Sequence, residues 1–213
     1  MKRYSLSSIF TEAFRDNLGW EKAWTKRQPK KEYQIIIVGG GGHGLATAYY
    51  LAKNYNITDI AVIEKGWIGG GNTGRNTTII RSNYLQESSI GIYEKSRFLY
   101  ETLSQDLNYN IMFSPRGVLM LCQTEHELRA MKRTSHANRI NGVDTKMVAP
   151  EEVKEIVPII NINGPRFPVL GALWQPRGGT ARHDAVAWGY ARKCSDFGID
   201  IIEQCEVIGV KKK

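Results

Sequence analysis

One stretch constrains this chain more than any other: YQIIIVGGGGHGLATAYYLAKNYNITDIAVIE, from Tyr33 to Glu64. Tyr33 to Val38 is a short apolar run rich in β-branched residues, the pattern of a strand buried on both faces. Gly39, Gly41 and Gly44 follow as G-x-G-x-x-G, with Gly40 and Gly42 as further glycines. The first glycine permits a tight turn, the second lets backbone approach a pyrophosphate, and the third lets a helix pack close to the strand. Leu45 to Lys53, rich in Leu, Ala and Tyr, suits that helix, whose first N–H groups would face the phosphate. A second strand, Ile60 to Ile63, ends at Glu64, twenty residues beyond Gly44. A carboxylate there can accept from a ribose hydroxyl pair. A glycine-rich turn that binds no nucleotide is the bland reading, but strand, turn, helix, strand and acid all fall in order. An acid rather than a base at the second strand end argues for an unphosphorylated ribose, hence FAD or NAD and not NADP.

The next segment, Lys65-GWIGGGNTGRNTTIIRSNY, separates those two. Gly66, Gly69, Gly70, Gly71 and Gly74 make a second glycine loop able to wrap a phosphate with N–H donors. A nicotinamide dehydrogenase has no need of it, whereas a flavin dinucleotide lying along the domain does. FAD is therefore the expected ligand.

Charge and composition narrow the class further. A hydrophobic share of 42% and a charged share of 23% fit a globular protein. The net charge of +8 is concentrated at the ends of the chain, in Lys2, Arg3, Arg15, Lys22, Lys26, Arg27, Lys30 and Lys31 and in Lys211, Lys212 and Lys213. No aromatic-basic module or continuous basic helix for nucleic acid is evident, so a solvated face or partner surface is expected, with no nucleic acid. No apolar run reaches membrane-spanning length. The N-terminus lacks the apolar core and cleavage site of a secretory signal. Three scattered cysteines, Cys122, Cys194 and Cys205, have no metal spacing, which suggests reduced thiols and a cytoplasmic setting.

Residues 1–32 form an arm before the nucleotide fold, with a short helix expected over Ser5 to Phe14. Trp20 and Trp24 in its basic part should cover some surface, its own domain or another chain. After the glycine loop, Tyr84 to Leu107 has helical spacing. Asn110 to Phe113 and Gly117 to Cys122 read as strands joined by a Ser114–Gly117 turn. Glu125 to Asn141 reads as a helix, with His126 and His136 as surface groups. Pro150 to Ile156 is a short helix, 158–168 is irregular, and Val169 to Trp174 is a strand. Asp184 looks like an N-cap for a helix from Ala185 to Phe197, closed by Gly198. Ile199 to Ile202 and Val207 to Val210 read as strands. The expected architecture is α/β: a Rossmann-like FAD-binding domain of glutathione-reductase type (33–110 and 173–213) with part of a smaller α+β substrate or interface domain (111–172). Its sheet is expected to be incomplete, as in a fragment of a longer chain.

The segments GGGGHGLATAYYLAK, VIEKGWIGGGNTGRNTTIIRSNYL, GIYEKS, SPRGVL, NGVD, PIIN and GGTARHDAVAWGYAR carry a specific resemblance. From about residue 10 to the end, the chain resembles the N-terminal portion of the β subunits of heterotetrameric sarcosine oxidases, flavoproteins of the D-amino-acid-oxidase type. The resemblance implies oxidation of the N-methyl amine of sarcosine to glycine plus a one-carbon unit. It implies noncovalent FAD, covalent FMN at the interface with an α subunit, oxygen as final acceptor, and tetrahydrofolate as one-carbon acceptor in the complex. Partner α, γ and δ subunits are implied as well. By position, the resemblance gives cofactor roles to Gly39, Gly41, Gly42, Gly44, Glu64, Lys65, Gly70, Gly71, Asn72, Thr73 and Asn76. It gives Arg81 the substrate carboxylate, a pairing that a planar guanidinium suits, although Arg81 could instead pair with an acid of its own fold. It gives His183 the covalent FMN, where the residue alone would read as a helix-entry histidine. Two alternatives stand beside this reading: a dimethylglycine-type secondary-amine dehydrogenase, and a truncated flavin-binding remnant inactive on its own.

Overall fold

The computed structural model describes residues 5–20, 23–25 and 27–212. Lys2, Arg3, Lys22, Lys26 and Lys213, counted above among the basic residues, lie outside the described residues. The chain divides into two compact units: Met1–Asn76 with Gln105–Ile111 and His183–Lys213, and Thr77–Ser104 with Met112–Arg182.

The first unit is built on a parallel three-stranded sheet. Its strands are β1 (Ile35–Val38), β2 (Ile60–Ile63) and, from the far end of the chain, β8 (Asp200–Ile202), with β2 in the centre. Ile35 lies opposite Ile60 and Ala61 opposite Asp200 in the register. Helix α2 (Gly42–Tyr55) connects β1 to β2, and α6 (His183–Asp196) precedes β8. The small residues Ala48, Ala52, Ala187 and Ala191, all buried, let α2 and α6 approach closely. Tyr49 fills the remaining space between them, 5.4 Å from the Tyr190 ring and 6.1 Å from Phe197. The helix α2 ends on Asn56 in the left-handed conformation, and Gly198 closes α6 with a φ of +84°.

In the arm, α1 (Leu6–Ala13) starts at Ser5, whose hydroxyl accepts from the Ser8 N–H at 3.1 Å. Its apolar residues Leu6, Ile9 and Phe10 are exposed. Further along the arm, Trp24, Thr25 and Arg27 bond to residues of the same unit. Trp24 donates to Glu203 at 3.0 Å, the Thr25 N–H to Ser195 at 3.1 Å, and Arg27 to the Gly198 carbonyl at 3.1 Å.

The second unit has an antiparallel sheet of β4 (Val118–Cys122), β6 (Gly171–Gln175) and β5 (Lys146–Val148), with β6 in the centre. A two-stranded ribbon pairs β3 (Ile79–Ile80) with β7 (Gly179–Thr180). Val148, Val153, Val169 and Ala172 form a core joined by Leu119, Ile160, Ile162 and Trp174. Helix α4 (Glu125–Ile140) opens with a capping box between Thr124 and Glu127, and α5 (Pro150–Ile156) has proline at its first turn. Helix α3 (Glu87–Leu107) begins in this unit, and its last turn belongs to the first. Residues 77–104, grouped with the nucleotide domain on sequence, cluster here because β3 pairs with β7 and α3 is bonded through Glu101 to Arg177.

Several local expectations change. Asn110 to Phe113 forms no strand: Met112 takes a φ of +54°, which turns the chain, and pairing starts only at the single bridge from Ser114 to Thr180. Val207 to Val210 forms no strand either. Ile208 is 96% exposed and has no neighbouring strand among the described residues. Asp184 lies inside the first turn of α6 rather than capping it, and its carboxylate accepts from the Ala185 N–H at 2.8 Å. An acid in that turn still favours the positive end of the helix dipole. Helix α4 carries Arg129, Lys132, Arg133, His136 and Arg139 on exposed positions, a basic stripe that the sequence reading did not register. No helix among the described residues is long and apolar enough to cross a membrane.

Candidate functional site

The first unit contains a cleft of about 840 Å³ at the C-terminal ends of β1 and β2. Its floor is the turn between β1 and α2. Gly39 has a φ of +110°, a conformation closed to most side chains, and its N–H donates to the Ile63 carbonyl at 2.8 Å. A Cβ on Gly44 would collide with the Gly39 carbonyl oxygen, so only glycine lets α2 begin this close to β1.

Glu64 stands at the end of β2. One carboxylate oxygen accepts from the Gly40 N–H and the other from the Gly66 N–H, both at 2.8 Å. These two bonds aim the carboxylate along the cleft edge and tie the two glycine segments to one acid. A second tie runs from the Gly69 N–H to the Gly40 carbonyl at 3.0 Å. The second loop then makes a single 3₁₀ turn, Asn72–Arg75, in which the Thr73 hydroxyl accepts from the Gly42 N–H at 2.9 Å. That hydroxyl satisfies the first N–H of α2, at a helix end of the kind that binds phosphate oxygens. A Cβ on Gly71 would meet nothing within 4 Å, so backbone is bare on that side of the cleft. Bare backbone, a helix N-terminus and an acid at the second strand end fit a dinucleotide such as FAD.

Most of the residues expected at the cofactor line this cleft: Gly39, Gly41, Gly42, Gly44, Glu64, Lys65, Gly70, Gly71, Asn72 and Thr73. Asn76 is not among the lining residues, and its amide instead donates to the Thr73 carbonyl at 2.6 Å, bracing the turn from behind. His183 lies outside the lining as well, at the first residue of α6, half-buried, with Nδ1 enclosed and without a hydrogen-bond partner among the described residues.

Several side chains that sequence reasoning missed also line the cleft, Glu206 and Val207 among them. His43 and Arg75 sit at the unspecified positions of the two glycine segments, and Trp67 lies beside Gly70. Cys205 arrives from the end of β8, where its N–H donates to the Glu64 carbonyl at 3.0 Å. Nothing in a local pattern signals that last contact, which depends on a parallel strand 140 residues away in the chain joining β2.

Arg81 belongs to the second unit, just after β3. Its guanidinium carbon lies 4.1 Å from the centre of the Tyr84 ring, and Nη1 donates to Asn83 Oδ1 at 2.8 Å. No acid pairs with it among the described residues, and its Nε and Nη2 make no hydrogen bond there. Those two nitrogens form the side-on edge that grips a carboxylate with two parallel bonds.

Residues 34–213 match the family described as FAD dependent oxidoreductase. The chain belongs to that family. Among curated members, it is 65% identical over 211 residues to the sarcosine oxidase subunit beta of Rhodobacter capsulatus, covering 99% of this chain and 51% of that protein. It is 58% identical over 193 residues to the corresponding subunit of an Arthrobacter species, covering 90% of this chain and 48% of that protein. The chain thus spans about half the length of the curated relatives it matches. Among solved structures of the family's fold, L-proline dehydrogenase from P. horikoshii superposes with a TM-score of 0.76 at 33% identity, over 85% of this chain and 46% of that one. The parallel sheet with its glycine turns and the three-stranded antiparallel sheet are the family's α/β fold.

Proposed function

We propose that this chain is the dinucleotide-binding portion of a flavoprotein subunit that oxidises the N-methyl amine of sarcosine to glycine plus a one-carbon unit. The observation that carries the reading is the cleft where both glycine turns and Glu64 converge, in a chain 65% identical to a sarcosine oxidase subunit over 99% of its length. FAD, when bound, supplies the two-electron acceptor for the amine.

The residues of the chain supply binding and orientation. The N–H groups at the start of α2 and the bare backbone at Gly71 suit the diphosphate, with Asn72 and Thr73 beside them. Glu64 suits the ribose hydroxyls, and the exposed Lys65 adds positive charge at the mouth. The open Nε and Nη2 edge of Arg81 supports its assignment to the substrate carboxylate, because sarcosine presents one carboxylate and a guanidinium keeps its charge at any working pH. His183 is assigned as the attachment point of FMN. Its enclosed and unpartnered Nδ1 supports that reading, since no hydrogen bond to that nitrogen commits the ring to one tautomer. Partner α, γ and δ subunits, oxygen as the electron acceptor, and tetrahydrofolate as the acceptor of the one-carbon unit complete the proposal for the assembled protein.

The test is co-expression of the full-length subunit with its α, γ and δ partners, followed by denaturation. Flavin fluorescence that stays with the polypeptide and disappears in His183→Ala is the expected result, together with released FAD. Anaerobic sarcosine should bleach the flavin absorbance of the native complex. A complex that carries no FAD, or whose flavin sarcosine leaves oxidised, would overturn the reading.

A further inference from the structure

The second unit buries an unusual amount of polarity immediately after Arg81. Ser82 and Gln175 are fully buried, Asn83 and Arg97 are each 1% exposed, and all four carry polar side chains. Ser82, Gln175 and Arg97 form one connected set through Glu94. The Ser82 N–H donates to Gln175 Oε1 at 3.0 Å, and Gln175 Nε2 donates to Ser82 Oγ at 2.6 Å and to Asp144 at 3.3 Å. Ser82 Oγ donates to Glu94, which also holds the Arg97 guanidinium. Arg97 reaches on to Glu101 at 2.6 Å, and Glu101 receives Arg177 at 2.9 Å.

Polar groups are buried at a penalty unless each is bonded. Apolar side chains of similar volume often replace such a set without loss of stability, so stability alone does not account for it. The set fixes direction. It pins Ser82 through its N–H and its hydroxyl, and Asn83 projects from the adjoining backbone. Asn83 Oδ1 accepts from Arg81 Nη1 at 2.8 Å, while Asn83 Nδ2 faces the Met120 sulfur at 3.5 Å. Beneath the guanidinium lies Tyr84, itself stacked on Tyr93 at 4.2 Å.

We propose that Asn83, held by the Ser82–Gln175–Glu94–Arg97 set, is a positioning residue that engages one nitrogen of Arg81 and so presents the Nε and Nη2 edge to a substrate carboxylate. The proposal rests on the assignment of Arg81 made above. An amide oxygen is suited to this task because it engages the guanidinium without bringing a competing charge. A carboxylate at residue 83 would hold the same nitrogen but would neutralise the cation that the substrate needs. Freezing the guanidinium during folding also removes entropy that would otherwise be lost when substrate binds.

The experiment uses the full-length subunit in its assembled complex. It compares kcat and KM for sarcosine with inhibition constants for acetate and for acetamide, its uncharged isostere. Asn83→Leu and Asn83→Asp should each raise KM and weaken acetate by about tenfold, the size of one charge-assisted contact. Both variants should leave acetamide and kcat little changed. Gln175→Met should show a smaller shift in the same direction. Asn83→Asp preserves shape and keeps the test open if the leucine variant fails to fold. If Arg81→Gln weakens acetate while both Asn83 variants leave it unchanged, the positioning role is wrong and the assignment of Arg81 stands. If Arg81→Gln itself leaves acetate unchanged, the assignment falls and takes the proposal with it. Equal losses for acetate and acetamide in the Asn83 variants would mark a general structural role and overturn the proposal.

Discussion

The Cβ that Gly44 lacks would collide with the Gly39 carbonyl oxygen, five residues earlier in the same turn. Neither atom can yield, because the Gly39 N–H is bonded to Ile63 and Gly44 is held in the first turn of α2. Gly44→Ala should therefore destabilise the first unit by about 2 kcal/mol, typical of an overpacked site. For a chain of this length that is roughly 4–8 °C in Tm. Gly71→Ala has open space around the added methyl and should melt like the wild type. Circular dichroism melts of both variants decide the matter, and an unshifted Gly44→Ala would contradict the close approach.

Glu64 accepts two backbone N–H groups, from Gly40 and Gly66, and it lines the cleft. A glutamine keeps one acceptor oxygen and loses the charge, so one N–H is left unserved and the ribose acceptor is weakened. Glu64→Gln is expected to reduce FAD affinity about tenfold, and to lower stability by only about 1 kcal/mol. ADP carries the same ribose without the flavin and should lose a comparable factor. Titration calorimetry with both ligands checks this. Wild-type affinity for ADP in Glu64→Gln would remove the acid from the ribose.

What could be read from sequence here, and what could not, divides along one physical line. The order of elements in the Tyr33–Glu64 unit was legible because its strand, turn, helix and strand are consecutive, and the strand Ile60–Ile63 and the helix Pro150–Ile156 fall where local pattern puts them. However, β1 is not buried on both faces as its apolar run suggests: Ile36 and Val38 are exposed. Cys205 in the cleft wall was not legible, because it depends on β8 pairing with β2 across most of the chain. The strand expected over 110–113 fails for a different reason: the apolar run Ile111 to Phe113 looks extended, yet a positive φ at Met112 breaks it. The Ser82–Gln175 bond joins residues 93 positions apart and leaves no trace in local composition. Nothing local marks Arg97 as a buried cation; the acids Glu94 and Glu101 on the same helix face draw it inward.

That buried cation gives a pH signature. Hydrogen bonds from Arg97 hold the Glu94 carboxyl below the usual carboxylate range against the opposing effect of burial, with Ser82 assisting. For Glu101, burial pushes upward, but Arg97 and Arg177 together prevail and the net direction is again down. A carboxyl lowered in the folded state contributes stability above its unfolded value and loses it as pH falls through the folded value. Tm should therefore hold steady from neutral pH to about pH 5 and then decline. Arg97→Met leaves Glu94 without its cation and Glu101 with Arg177 alone, and should cost on the order of 3 kcal/mol at neutral pH. The same variant should recover part of that loss below about pH 5, where protonation removes the stranded charges. A Tm–pH series on the two proteins tests the sign, and parallel curves would exclude the ionic account.

The three thiols differ in a way that reports on the cleft. Burial pushes the Cys194 thiol up to about 12, and Cys122 is raised by the same cause, with the nearby Glu127 adding to it. Both are fully buried, whereas Cys205 is exposed and lines the cleft. Alkylation proceeds through the thiolate and needs access, so iodoacetamide at about pH 8 should modify Cys205 well before the other two. FAD in the cleft would stand between reagent and sulfur, and saturating FAD should slow that modification several-fold. Peptide mass spectrometry over a time course resolves the three sites. Rapid labelling of Cys194 would contradict its burial, and a Cys205 rate indifferent to FAD would mean that residues 205–207 do not wall the occupied cleft.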